Sequence, residues 1–173
     1  DFLRRFDPAA GVWISDPSWE NHRALFEGAG FTVETYPYYD PLTRGLDFAA
    51  MAGKLRALRA GSIVVLHVCC HNPTGADPSA DQWGQIIEIV RAGGLVPILD
   101  LAYQGFATGL DADADPVRRF VAAGIPALVA NSFSKNFSLY GERVGALSLV
   151  TGNADESARA LSQLKRVIRA NYS

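Results

Sequence analysis

Two rhythms of apolar residues run through the chain. Short apolar runs, many of them β-branched, lie at 11–15, 31–36, 62–67, 95–99, 126–130 and 144–150. Runs of this length, bounded by Gly, Pro or Asp, predict β-strands. The run at 62–67 (Ser-Ile-Val-Val-Leu-His) is continuous rather than alternating, so it predicts a strand buried on both faces of a parallel sheet. The intervening segments repeat their apolar residues at helical spacing. Residues 19–28 predict a helix capped by Ser18. Residues 46–58 put Phe48, Met51, Leu55 and Leu58 on one stripe. Residues 79–92 predict a helix closed by Gly93 and Gly94, and residues 115–123 a shorter one. A last helix over 155–170 is expected to turn Leu161, Leu164, Val167 and Ile168 inward. The opening Asp1-Phe-Leu-Arg-Arg-Phe6 reads as the end of a further amphipathic helix. Strand and helix alternate throughout, without internal repeat or low-complexity linker. The expected fold class is α/β: a mostly parallel sheet flanked by helices.

In open α/β sheets, ligands bind beyond the carboxyl ends of the strands. Three successive strand ends here carry chemically capable groups. His71-Asn72-Pro73-Thr74-Gly75 follows the strand ending at His67. Asp100, with Tyr103 three residues on, follows the strand ending at Leu99. Ser132, Ser134 and Lys135 follow the strand ending at Ala130, and Arg143 stands just beyond them. A lysine amine can condense with a carbonyl, while hydroxyls and a guanidinium can hold a phosphate. Taken singly, each residue has a plainer reading. Asp100 fits a turn or capping aspartate, Asn72 an Asx turn before Pro73, and Lys135 a solvated surface loop. Trp19, His22 and His67 fit core packing, and Arg169 a cation near a helix C-terminus.

Composition narrows the classes. With 173 residues, 49% of them hydrophobic and 20% charged, the chain can build one domain with a sizeable core. A formal net charge of -2 gives no basic excess for nucleic acid. No apolar run reaches the roughly 20 residues of a membrane helix. The cysteines are the adjacent pair Cys69-Cys70, a poor structural bridge, so a reducing, cytoplasmic setting is expected. No metal is expected either: around His67, Cys69, Cys70 and His71 there is no second Cys/His pair at finger spacing. Asp111, Asp113 and Asp115 imitate a calcium loop but lack its glycine and its closing glutamate. Ser132-Phe-Ser-Lys135 matches the Ser-x-x-Lys of penicillin-binding acylases, but neither Ser-Asp-Asn nor Lys-Thr-Gly accompanies it. The absence of Gly-x-Gly-x-x-Gly disfavours a nicotinamide site.

Several motifs together resemble one family. Ser-Asp-Pro-Ser-Trp-Glu-Asn-His, Tyr36-Pro-Tyr-Tyr-Asp40, His-Asn-Pro-Thr-Gly-Ala-Asp, Asp-Leu-Ala-Tyr-Gln-Gly-Phe, Asn-Ser-Phe-Ser-Lys-Asn-Phe-Ser-Leu-Tyr-Gly-Glu-Arg-Val-Gly and Arg-Ala-Asn-Tyr-Ser span the chain. They resemble the fold-type I aminotransferases that use pyridoxal phosphate, in the aspartate and aromatic amino-acid branch, with a lean toward the aromatic enzymes. The resemblance implies that Lys135 is the Schiff-base lysine and that Ser132, Ser134 and Arg143 hold the phosphate. It gives Asp100 to the pyridine nitrogen, Tyr103 and Asn72 to the ring's phenolic oxygen, and Trp19 to stacking on the ring, with Trp19 and Asn72 also lining the substrate site. His22 and His67 become supporting residues behind Asp100. Arg169, with Ser173 close by, would bind a substrate side-chain carboxylate in the partner subunit's site of a homodimer.

The implied reaction transfers an amino group from an aromatic or dicarboxylic L-amino acid to a 2-oxo acid such as 2-oxoglutarate. An aspartate aminotransferase proper, a lyase on the same fold and a non-catalytic cofactor-sensing regulatory domain are the alternatives. By the same resemblance the full enzyme is more than twice this length. Residues 1–173 are then part of its large, cofactor-binding domain, with a Ser-Gly-Thr phosphate loop before Asp1 and most of a small domain after Ser173. Such a part on its own is expected to bind the cofactor weakly and to transaminate poorly.

Overall fold

The computed structural model describes residues 1–171. Six strands form one sheet: β1 (Gly11–Asp16), β2 (Thr32–Pro37), β5 (Ile63–His67), β6 (Val96–Leu101), β7 (Ala127–Ser132) and β8 (Gly145–Val150). Their spatial order is β2-β1-β5-β6-β7-β8; all neighbours are parallel except β7 and β8, which run antiparallel. The helices are α1 (Glu20–Gly28), α2 (Phe48–Arg56), α3 (Ala80–Gly93), α4 (Leu110–Asp113), α5 (Asp115–Ala122) and α6 (Ala154–Asn171). A two-stranded ribbon of β3 (Tyr39–Asp40) and β4 (Gly45–Leu46) stands apart from the main sheet. Its two-residue strands are too short for an apolar rhythm to announce them.

Side-chain alternation along the central strands divides the core in two. Val64 and Leu66 of β5, Leu99 and Leu101 of β6 and Val129 of β7 face one side, where Met51, Leu55, Trp83, Ile86 and Phe120 of α2, α3 and α5 cover them. Val12, Ile14, Ile63 and Val65 face the other side, against Phe31, Val33 and Phe26. The continuous apolar run of β5 is therefore buried on both faces, as its sequence predicts. Two caps fix the helices over the first side. Asp47 accepts the Ala50 amide at the start of α2, and Ser79 and Gln82 form a reciprocal capping box at the start of α3. Gly94 ends α3 at φ 58°, in the left-handed region that closes helices.

Three expectations are corrected. Ser18 does not cap α1: Trp19 holds the cap position without a side-chain bond, and the Ser18 hydroxyl turns to His22 instead. Along α6, Leu164 and Val167 are buried, but Leu161 and Ile168 lie on the flank and are 42% and 46% exposed. The first six residues form a single 3-10 turn at Leu3–Arg5.

At the β7–β8 pairing the two backbones approach closely beside Ser132, which is in register with Gly145. A Cβ on Gly145 would lie 2.5 Å from the Asn131 carbonyl oxygen. Since a backbone atom cannot swing aside, Gly145→Ala should destabilise the protein by about 1–3 kcal/mol, the usual cost of overpacking. Chemical denaturation of wild type and variant measures this, and an unchanged midpoint would show that β8 can shift freely. A broad groove of about 1270 Å³ opens at the opposite, amino-terminal ends of the strands, between Leu95, Leu128, Leu149 and Phe2. Its lining is mostly apolar, with Arg91, Glu156 and Arg159 among the exceptions, and it holds none of the candidate chemistry.

Candidate active site

The carboxyl ends of β1, β5, β6 and β7 collect the polar residues. Asp100 lies in register with His67 on one side and with Ala130 on the other. The β6 and β7 ends, with Asp100 and the approach to Lys135, are thus adjacent strands of one sheet edge, about 4.8 Å apart. Tyr103 is carried past the end of β6, and the Lys135 amine sits over its ring, 4.6 Å from the centroid. The Tyr140 ring centroid is 5.8 Å from the same amine and 5.6 Å from the Arg143 guanidinium. Lys135 and Arg143 therefore converge on one aromatic side chain. No acidic side chain among the described residues forms an ion pair with Lys135. Ser134 is buried, and its amide donates to the Ser132 hydroxyl at 3.3 Å. Arg143 adopts φ 52°, a left-handed backbone that a non-glycine residue holds only under constraint, and donates to the Tyr140 carbonyl.

Asp100 is the end of an oriented chain of hydrogen bonds. Its Oδ2 is 2.9 Å from His22 Nε2; a carboxylate only accepts, so that nitrogen carries the proton. At the far end, the Asn72 amide donates to His67 Nδ1 at 3.4 Å, which leaves the His67 proton on Nε2. His67 Nε2 then donates to the Ser18 hydroxyl at 3.5 Å, and Ser18 donates to His22 Nδ1 at 3.0 Å. Each ring nitrogen along the path thus has one partner. Burial, the largest influence, pushes the His67 pKa down to about 4, opposed by the Asp100 charge and assisted by His22. Trp19 packs edge-on against His22, with centroids 5.3 Å apart, and remains 38% exposed on its other side. His22, His67 and Asp100 each bring a metal-capable atom within 4.8 Å of the others, but the same chain assigns those atoms to one another and to Ser18.

Several structural residues escape sequence reading. Ser15, at the end of β1, bonds His71 Nε2 at 2.8 Å, and the other His71 nitrogen bonds Thr74. The Asp77 carboxylate accepts the amides of Cys70 and His71. Asp113, one of the calcium-like trio, is buried; it accepts the amides of Gly105, Ala107 and Thr108 and the Thr108 hydroxyl, closing the loop that follows Tyr103. A polar residue spaced a few positions from a glycine-rich turn is the one signal that could have marked Asp77 and Asp113. Arg169 is exposed in the last turn of α6, well along the chain from the strand-end cluster, and Ser173 lies outside the described residues.

A doubly covered sheet with an acid, an amine and a hydroxyl–guanidinium set at one strand edge defines a class, and the sequence family agrees. The profile described as "Aminotransferase class I and II" matches residues 1–173, and the chain belongs to that family. The aromatic-amino-acid aminotransferase of Escherichia coli K12 is 57% identical over all 173 residues, and the aspartate aminotransferase of Pseudomonas aeruginosa 61%. This chain spans 44% of the length of each of those relatives. Among solved structures, an aromatic-amino-acid aminotransferase from Burkholderia pseudomallei, covalently bound to pyridoxal phosphate, superposes with a TM-score of 0.98 at 61% identity. That match covers 99% of this chain and 43% of the other.

Proposed function

We propose that the full-length protein is a pyridoxal-phosphate-dependent aminotransferase acting between an aromatic or dicarboxylic L-amino acid and 2-oxoglutarate. Residues 1–173 are part of its large domain. The observation that carries this reading is the pairing, at one sheet edge, of Asp100 backed by His22 with the free amine of Lys135 against Tyr103. The donor set fits the cofactor: an acid for a ring nitrogen, an amine for an aldehyde, and two serines with an arginine for a phosphate. When bound, pyridoxal phosphate supplies an aldehyde that condenses with amines and a protonated ring that draws in electrons.

The chain's own residues do the rest. Asp100 would keep a ring nitrogen protonated, and the chain through His22 and Ser18 holds its carboxylate in place. Tyr103 and Asn72 orient the phenolic oxygen; Ser132, Ser134 and Arg143 anchor the phosphate. Trp19 stacks on the ring and keeps water from its face. Lys135 would serve as general base and then general acid for the proton at the substrate α-carbon. Arg169, exposed near the end of α6, reaches into the partner subunit's site of a homodimer and binds a carboxylate side chain bidentately. No helix among the described residues is long and apolar enough to cross a membrane, which fits a cytoplasmic enzyme.

The relatives include both aromatic and aspartate enzymes, which supports a site that takes both side-chain types. The test is a spectral titration of the full-length holoprotein with aspartate, tyrosine and phenylalanine, followed by oxo-acid detection. Conversion of the bound-cofactor absorbance by tyrosine or phenylalanine, with matching oxo acid released, is expected. No conversion by any of the three would remove the assignment.

A further inference from the structure

One buried imidazole in the cluster has no part in the reaction described above. His71 is 2% exposed, precedes Asn72, and lies between two hydroxyls: Ser15 on β1 at 2.8 Å from Nε2 and Thr74 at 2.8 Å from Nδ1. Its ring stacks on Tyr38 at 3.8 Å between centroids, 14° from parallel. Each ring nitrogen is thus matched by one hydroxyl, and Thr74 Oγ1 also accepts the Ala76 amide. The fully buried Tyr36, in register with Ser15 on the neighbouring strand, donates its hydroxyl to the Val65 carbonyl of β5. Burial, then the neighbouring His67 and His22, push the His71 pKa down to about 3.

The other bonds of the loop are internal to it or run to elements other than β1; the Asn72 backbone amide, for one, donates to His67 Nδ1 at the end of β5. Asp77 binds the amides of Cys70 and His71, Gly75 donates to the His71 carbonyl, and Tyr38 donates to the Ala76 carbonyl. These bonds make the loop a unit without fixing that unit to β1. The Ser15–His71 bond supplies that fixation. We propose that His71 is a positioning residue for Asn72, tying the turn that carries Asn72 to the end of β1 so that its carboxamide meets the cofactor ring in one place. The proposal rests on the aminotransferase reading and deepens it.

The experiment uses the full-length protein stripped of cofactor and titrated with pyridoxal phosphate, with unfolding midpoints recorded in parallel. His71→Phe keeps the stack on Tyr38 and most of the ring volume but removes both hydrogen bonds. Ser15→Ala cuts only the tie to β1, and Ser15→Thr restores a hydroxyl. Loss of one well-placed hydrogen bond is worth about 1.4 kcal/mol, so Asn72→Ala, His71→Phe and Ser15→Ala should each weaken the cofactor Kd by about tenfold. Ser15→Thr should stay within about twofold of wild type. The double variant Asn72→Ala with Ser15→Ala should bind no more than about twofold weaker than Asn72→Ala alone, because both act through one contact. Multiplied losses in the double variant, or normal binding by Ser15→Ala, would overturn the proposal. Should His71→Phe fail to fold, the serine series decides alone. A wild-type protein that forms no covalent bond with pyridoxal phosphate would instead bring down the aminotransferase reading, and this proposal with it.

Discussion

Lys135→Ala in the full-length protein is expected to lose the shifted absorbance that marks covalently held pyridoxal phosphate, and to lose turnover with it. The amine can condense with an aldehyde, and it lies against the Tyr103 ring with no carboxylate partner among the described residues. A general base typically contributes up to about 10^4-fold, and this residue also supplies the covalent tether, so a loss of that order or more is expected. Stability should barely move, because Lys135 is only partly buried and fills no core position. Absorbance titration and stopped-flow turnover measure the outcome directly. Retained absorbance together with turnover would mean that another amine is in use.

The second large effect belongs to Asp100. Asp100→Ala removes the only acceptor of the His22 Nε2 proton, leaving a buried donor unsatisfied at about 1–3 kcal/mol. The catalytic loss should be larger, on the order of 10^2–10^3 in kcat, the scale seen when a preorganised charge-stabilising group is deleted. Asp100→Asn separates the two effects. Its carbonyl oxygen still accepts from His22, so the unfolding midpoint should recover most of the way, while the lost charge leaves kcat low. Near-normal single-turnover rates in Asp100→Asn would show that the carboxylate charge is dispensable.

The layout of the sheet was largely legible in the sequence because its signals are local. The apolar run of β5, the Ser79–Gln82 capping box and the Gly94 stop each specify an element from within a few residues. The strand ends were legible for the same reason: Asp100, His71-Asn72 and Lys135 stand where apolar runs stop. Pairings between distant segments were not. Nothing near Ser18 in the chain announces that its hydroxyl turns from the helix end to His22 and His67, since that choice depends on the β1–β5 register. Ser15 looks like one more small residue at a strand end until His71, 56 positions away, is packed against it. The exposed flank of α6 misled for a related reason: helical spacing marks an apolar stripe but not which part of it another element covers.

The stretch from Ser15 to His22 supports both halves of the pocket, one hydroxyl steadying the Asn72 turn and another the Asp100 carboxylate. A displacement there would be felt on two sides of a bound ring at once. Attempts to retune this scaffold toward new substrates should therefore leave that crossover untouched and draw their variation from residues that meet the ligand without sharing a foundation.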